Sequence, residues 1–236
     1  MTSKITRASL VGGLRSLAAR VRLGQGPNAE SADGPLRGEL LSLAQLEAHA
    51  RDLAADHSDA VLLPSGDPLR AALDEDERQL SLVQHALAQD VQGRVAISPA
   101  AEWLLDNAYV VGEQIRAIRH DLPRGYYREL PKLRRGPLAG LPRVYAIALE
   151  LITHSGGRVE SETLLRFLLA YQSVTPLRMG ELWAVAIMLR IGLVKNLSHV
   201  LTDQPVRLGG GVQGALVGVE LGGVAHHVAE GLVERP

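Results

Sequence analysis

The amino-acid sequence predicts an all-α protein, a helical bundle of about five to seven helices. Apolar residues recur every three or four positions, residues that favour helix starts precede these runs, and no stretch between 39 and 201 alternates as a strand would. Of the 236 residues, 46% are apolar, which is enough for one large or two small domains. A flexible leader and an irregular Gly-rich tail are expected to flank this core.

Residues 1–38 are predicted to be a basic leader and a linker. Positions 1–23 contain several basic residues, and the apolar residues between them recur at helical spacing. The segment lacks the uninterrupted apolar run of a secretory signal. Two interpretations remain open. The segment is either an amphipathic helix on an anionic membrane surface or a flexible leader, since Gly12 and Gly13 weaken a helix. Positions 24–38, rich in Gly, Pro and Ser, are typical of a linker.

Residues 39–97 are predicted to form a helical hairpin. Ser42 is a suitable N-cap for a helix whose apolar face includes Leu46 and Ala50. Asp67 and Pro68 predict the start of a second helix, because a proline in the first turn loses no intrahelical hydrogen bond.

Residues 98–201 are predicted to be the main bundle, because all eight aromatic residues lie between positions 103 and 183. Helices are expected from 99 to about 119, at 144–154, from 161 and at 179–201, with an irregular connection at 124–142. We expect four large side chains in the interior: Trp103, Tyr145, Leu168 and Trp183.

The most apolar segment, residues 182–201, is predicted to be a buried helix rather than a transmembrane one. Arg190 and Lys195 interrupt it, whereas a spanning helix needs about 20 residues with few or no charges. Residues 202–236 form the tail. Eight glycines from position 203 onward predict little regular structure there, because glycine weakens both helices and strands.

Composition excludes several functional classes. Charged residues make up 22% of the chain with a net charge of −1, so no nucleic-acid partner is expected. Without cysteine there is no disulfide or thiolate site. His226 and His227 are adjacent, so their rings diverge on a helix and predict no metal site. The glycines at 209–211 lack the lysine of a phosphate-binding loop. We therefore assign no catalytic residue, metal or cofactor to this chain.

Four acidic residues lie in or beside apolar helical runs, and two interpretations of them remain. Paired carboxylates perform acid–base catalysis in glycoside hydrolases, which would make the chain an independent carbohydrate-active enzyme. The alternative is structural ion pairing with nearby arginines, which the equal numbers of acids and bases favour. The acids are Glu113, Glu129, Glu150 and Glu181.

A basic segment with adjacent tyrosines, at 124–128, is a candidate contact surface. Tyrosine rings flanked by arginines can stack on sugars and hold hydroxyl groups, or they can fix an irregular loop to a helical core. The candidate contacts to glucan or to a protein interface are Arg124, Tyr126, Tyr127, Arg128, Glu181 and Trp183.

Three consecutive motifs within residues 99–197 resemble the N-terminal region of bacterial cyclic β-1,2-glucan synthases. They are AAEWLLDNAYVVGEQIRAIRHDLPRGYYRELPKL, GPLAGLPRVYAIALELITHSGGRV and FLLAYQSVTPLRMGELWAVAIMLRIGLVKNL. The run PLRGELLSLAQLEAHARDLAADH at 35–57 is similar to the same region. The order of the motifs makes the resemblance specific.

The resemblance implies a non-catalytic helical module that serves in glucan initiation or in docking. The family joins such a region to an inner-membrane glycosyltransferase domain and a phosphorylase-like domain, which would be its partners along with β-1,2-glucan. UDP-glucose and a divalent metal would belong to the glycosyltransferase domain. The module would lie at the cytoplasmic side of the inner membrane as a soluble or peripheral part. A helical scaffold protein is a further alternative.

The tail at 203–236 departs from the family pattern, since it matches no family motif. A frameshift or truncation of a longer reading frame would produce such a tail, so a fragment of a synthase is the expected origin of this chain.

Overall fold

The computed structural model describes Leu36 and residues 38–203, apart from 64, 65, 94–96 and 98. Over these residues it confirms the all-α prediction, with seven helices and no β-strand. The leader, most of the linker, the tail, the His226–His227 pair and the 209–211 glycines lie outside the described residues. The helices are α1 Leu43–Asp56, α2 Pro68–Gln92, α3 Pro99–Asp121, α4 Arg124–Glu129, α5 Arg143–His154, α6 Ser161–Gln172 and α7 Met179–Asp203.

The first two helices begin where the sequence predicts. The Ser42 side chain accepts a hydrogen bond from the backbone N–H of Gln45, while the Gln45 side chain accepts one from the Ser42 N–H. At the start of α2, Asp67 accepts a hydrogen bond from the N–H of Arg70, and Pro68 occupies the first turn. Both helix starts therefore rest on local chemistry that the sequence already contains.

Helices α1 and α2, which the sequence predicts as a hairpin, each have their main packing partners elsewhere. Helix α1 packs chiefly against α6, while α2 packs against α3 and α7. Apolar residues from both helices belong to the same core as those of 99–203. Local periodicity identifies the apolar face of a helix but not the partner that covers it.

Helix α7 is the central element, in contact with α2, α3 and α5. By length and composition, Met179–Thr202 could cross a membrane, but 72% of its most apolar window is buried inside the fold. Such burial is typical of a core helix, in agreement with the interpretation of its sequence.

Tyr145 and Leu168 are buried as expected, at 3% and 1% exposure. Trp103 is only partly buried against the core. The prediction for Trp183 is wrong, since 44% of it is exposed. Its neighbours Leu182 and Ala184 are buried, so Trp183 lies on the outer face of α7.

The 124–142 connection is less irregular than expected, because it opens with the six-residue helix α4. The remainder is anchored by backbone pairing of Lys132 with Val61, at 2.8 and 3.0 Å. Lys132 also caps α4: its buried Nζ donates to the carbonyls of Leu130 at 2.9 Å and Tyr127 at 3.1 Å. Burial lowers the pKa of this lysine.

Candidate functional site

The structure separates the six predicted contact residues into three places. Arg124, Tyr127 and Arg128 line one cleft. Tyr126 and Trp183 lie at or beside the start of α7. Glu181 is buried in an ion pair, away from solvent. The sequence grouped them by their chemistry, and the fold brings only the first three together.

The cleft lies between the start of α2 and helix α4, and has a volume of about 220 Å³. Gly66 and Asp67 form the α2 side, while Arg124, Tyr127 and Arg128 form the other. The arrangement offers a carboxylate acceptor opposite exposed guanidinium donors. Carboxylates and arginines in such an arrangement suit a polyhydroxylated ligand such as a sugar ring.

Tyr127 forms the buried base of this cleft, with 1% of its surface exposed. Its hydroxyl has no hydrogen-bond partner among the described residues, and burial raises its pKa. The Lys132 ammonium lies 4.8 Å from the ring centroid and holds the ring by a cation–π contact. The cleft therefore rests on a fixed aromatic ring with an unused polar group.

Tyr126, the neighbour of Tyr127 on α4, does not line the cleft and instead joins α4 to α7. Its hydroxyl donates to the carbonyl of Gly180 at 2.5 Å, and burial raises its pKa to about 12. Trp183 lies one turn further along α7, beyond Gly180. Adjacent tyrosines of one motif thus have separate roles, one lining the cleft and one fixing the α4–α7 junction.

Glu181 is paired with Arg143, as the ion-pair interpretation expects. The two side chains are 1% and 8% exposed, and the guanidinium donates to both carboxylate oxygens, at 2.6 and 2.7 Å. The N–H of Arg178 also donates to Glu181, at 2.9 Å. The carboxylate is therefore buried and already engaged by three donors, which leaves it no free face toward a substrate.

The other acids do not form a catalytic pair with Glu181. Glu113 and Glu129 are exposed on α3 and α4. Glu150 accepts a hydrogen bond from His49 at 2.9 Å, and this bond, above all other influences, lowers its pKa. A glycosidase-type acid needs a raised pKa, which Glu150 lacks. The geometry of the described residues therefore favours ion pairing.

Sequence reasoning missed His49, His57, His154 and Lys132. His49 and Glu150 are separated by 101 positions, so no motif links them. The spacing of Glu150 and His154 on one helical face was the available signal, since residues four apart are neighbours.

Comparison with known proteins finds a similarity to part of a longer protein. Over 178 residues, the chain is 36% identical to the cyclic β-(1,2)-glucan synthase NdvB of Rhizobium meliloti (strain 1021). The chain is therefore similar to a small part of a cyclic β-(1,2)-glucan synthase. The match covers 74% of this chain but 6% of the synthase, and no family model matches.

The relationship confirms the resemblance that the three motifs predict. The similarity concerns only a small part of the relative's length. The activity, substrates and partners of the whole synthase therefore belong to the proposal that follows.

Proposed function

We propose that this chain is a non-catalytic helical module of a cyclic β-(1,2)-glucan synthase, and that its cleft contacts β-1,2-linked glucan. The observation that carries the proposal is the cleft of Asp67, Arg124, Tyr127 and Arg128 in a chain that is related to a glucan synthase. Its volume of about 220 Å³ suits a single sugar ring better than a drug-sized ligand, whose pockets start at about 300 Å³.

The ligand groups of a glucan match the lining of the cleft. Sugar hydroxyls both donate and accept hydrogen bonds, so Asp67 would accept from one hydroxyl while Arg124 and Arg128 donate to others. Because the two arginines are exposed before binding, the contact is expected to be weak and to guide a chain rather than to retain it.

A non-catalytic role is supported by the state of the acids. Glu181 is neutralised by Arg143, and the pKa of Glu150 is lowered rather than raised. In this proposal UDP-glucose and its metal bind to the glycosyltransferase domain of a synthase, which would be the partner of this module. The module would then lie at the cytoplasmic side of the inner membrane, as a soluble or peripheral part.

Titration calorimetry of the full chain with a linear β-1,2-glucan oligosaccharide tests the contact. A β-1,3-linked oligosaccharide of equal length is the control for linkage. Asp67→Asn is the sharpest variant, because asparagine caps a helix about as well as aspartate. We expect Asp67→Asn or Arg124→Gln to weaken binding at least about tenfold, the loss of one charged hydrogen bond.

The matched control is Arg134→Gln, which changes an exposed arginine outside the cleft. Equal binding of all three variants, or of both oligosaccharides, would contradict the proposed contact. The non-catalytic assignment is tested separately by incubation with radiolabelled UDP-glucose. Glucan formed by the purified chain, and not by the heat-denatured chain, would show that the assignment is wrong.

A further inference from the structure

His49, Glu150 and His154 form a cluster that the proposed function does not use. Glu150 and His154 are one turn apart on α5, and His49 reaches them from α1. One carboxylate oxygen of Glu150, Oε2, lies 2.9 Å from His49 Nε2 and 3.4 Å from His154 Nε2. The ligand atoms of all three side chains lie within 4.8 Å of one another.

The tautomer of the neutral His154 ring is set by a hydrogen bond at Nδ1. Nδ1 lies 2.8 Å from the backbone carbonyl oxygen of Glu39, which can only accept, so Nδ1 must carry a proton. In the neutral ring the Nε2 atom then bears a lone pair that faces the Glu150 oxygen. In this tautomer Nε2 can coordinate a metal ion beside the Glu150 oxygen, which lies 3.4 Å away.

We propose that His49, Glu150 and His154 bind one divalent first-row transition metal ion, with Zn²⁺ the best match. Two imidazole nitrogens and one carboxylate are the ligand set of several zinc sites. Zinc–ligand bonds of about 2.0–2.2 Å place tetrahedral ligands about 3.4 Å apart, close to the two shorter separations in the cluster. Small side-chain rotations would bring the third pair together.

The surroundings of the cluster fit such a site. The Glu39 carbonyl orients His154 in the way that backbone carbonyls orient metal-bound histidines. The three side chains are 20–34% exposed, so an ion can enter from solvent and keep a water in its fourth position. The ion would link α1 to α5 and the backbone at Glu39, positions more than 100 residues apart in sequence.

Cobalt(II) titration of the full, tag-free chain, followed by visible absorption, tests the proposal. The chain has no cysteine, so absorption from tetrahedral cobalt would arise from nitrogen and oxygen ligands alone. We expect one equivalent of Co²⁺ per chain, displaced by Zn²⁺, and a rise in Tm with Zn²⁺. His49→Gln and His154→Gln should each weaken binding by more than about 100-fold. Changing a residue that only hydrogen-bonds to a metal ligand typically costs less, about 10–100-fold.

Two controls separate this site from other histidines. His85→Gln changes an exposed histidine of α2, and a double change of His226 and His227 to Gln tests the adjacent pair. Both should bind Co²⁺ as the unchanged chain does. No saturable binding, binding retained in His49→Gln, or binding lost in the double variant would each overturn the proposal. Circular dichroism without metal verifies that each variant folds, and these outcomes are independent of glucan binding.

Discussion

The guanidinium of Arg143 donates from two nitrogens to the two carboxylate oxygens of Glu181, within a part of the fold that is almost free of solvent. Arg143 is the first residue of α5, and Glu181 lies in the first turn of α7. Arg143 also donates to the carbonyl of Pro176 at 2.9 Å, so the pair fixes the chain that leads into α7.

Glu181→Gln should lower the free energy of unfolding by about 3–5 kcal/mol, because it leaves the buried Arg143 charge without a counter-ion. Urea denaturation followed by circular dichroism measures the loss. The control is Arg166→Gln, which removes the partly exposed pair with Glu47 and should cost no more than about 1 kcal/mol. Similar losses for both variants would show that burial does not govern the strength of the Arg143–Glu181 pair.

Leu168→Ala should destabilise the fold by about 2–5 kcal/mol, because the leucine is 1% exposed and its removal leaves a cavity. The adjacent Leu169 is 41% exposed on the same helix and provides a matched control. Leu169→Ala should cost less than about 1 kcal/mol, since little buried surface is lost. Thermal and urea denaturation measure the stability of the two variants. A larger loss of stability in Leu169→Ala than in Leu168→Ala would contradict the packing of α6.

Gly156→Ala should destabilise the fold by about 1–2 kcal/mol, the cost of a left-handed backbone for an L-residue. Gly156 has φ +63 after the end of α5, and a Cβ atom there would lie 3.1 Å from Leu40 Cδ2. Gly112→Ala is the control, because Gly112 lies within α3 with nothing within 4 Å of a new Cβ. That variant should gain up to about 1 kcal/mol from helix propensity, and a loss there would contradict the prediction.

His57 should make the fold less stable in mild acid. Burial, followed by the charge of Arg143, lowers the pKa of its imidazole from 6.5 to about 4. The unfolded chain therefore binds a proton below pH 6.5 that the folded chain does not bind until about pH 4. Stability from neutral His57 is present above pH 6.5 and is lost as the pH falls toward 4.

The test compares the unchanged chain with His57→Gln at pH 7.5 and 4.5. Between these values the unchanged chain should lose about 2–3 kcal/mol more than the variant, which cannot titrate at this position. The comparison cancels the titration of other groups, including His49, whose pKa is raised by its hydrogen bond to Glu150. An equal loss in both proteins would show that His57 titrates normally in the fold.

The helices were predictable because their signals are local. Ser42 and the Asp67–Pro68 pair stand beside the apolar runs they introduce, and Gly156 ends α5 where the sequence predicts. The packing partners of α1 and α2 were not predictable, because the apolar residues of a helix show which face is buried but not which helix packs against it. Trp183 was misplaced for a related reason: aromatic residues favour interiors on average, but the register of α7 puts this one outside.

The cleft was predicted in part. Arg124, Tyr127 and Arg128 are close in sequence, so their shared position on α4 followed from spacing. The opposite wall at Gly66 and Asp67 comes from a loop nearly 60 residues earlier, and only the fold reveals it. The His49, Glu150 and His154 cluster could not be predicted as a whole, because its residues come from α1 and α5, which are far apart in the sequence.

The pairing of α1 with α6 has a consequence for synthesis on the ribosome. Glu47 and its partner Arg166 are 119 residues apart, and the main partner of α1 comes late in the chain. Protein synthesis proceeds at about 5–20 residues per second, so the ribosome adds these 119 residues in about 6–24 seconds. During that interval the apolar face of α1, with Leu46, Ala50 and Ala54, lacks its native cover. Until α6 is made, that face therefore stays in contact with water or with non-native parts of the chain.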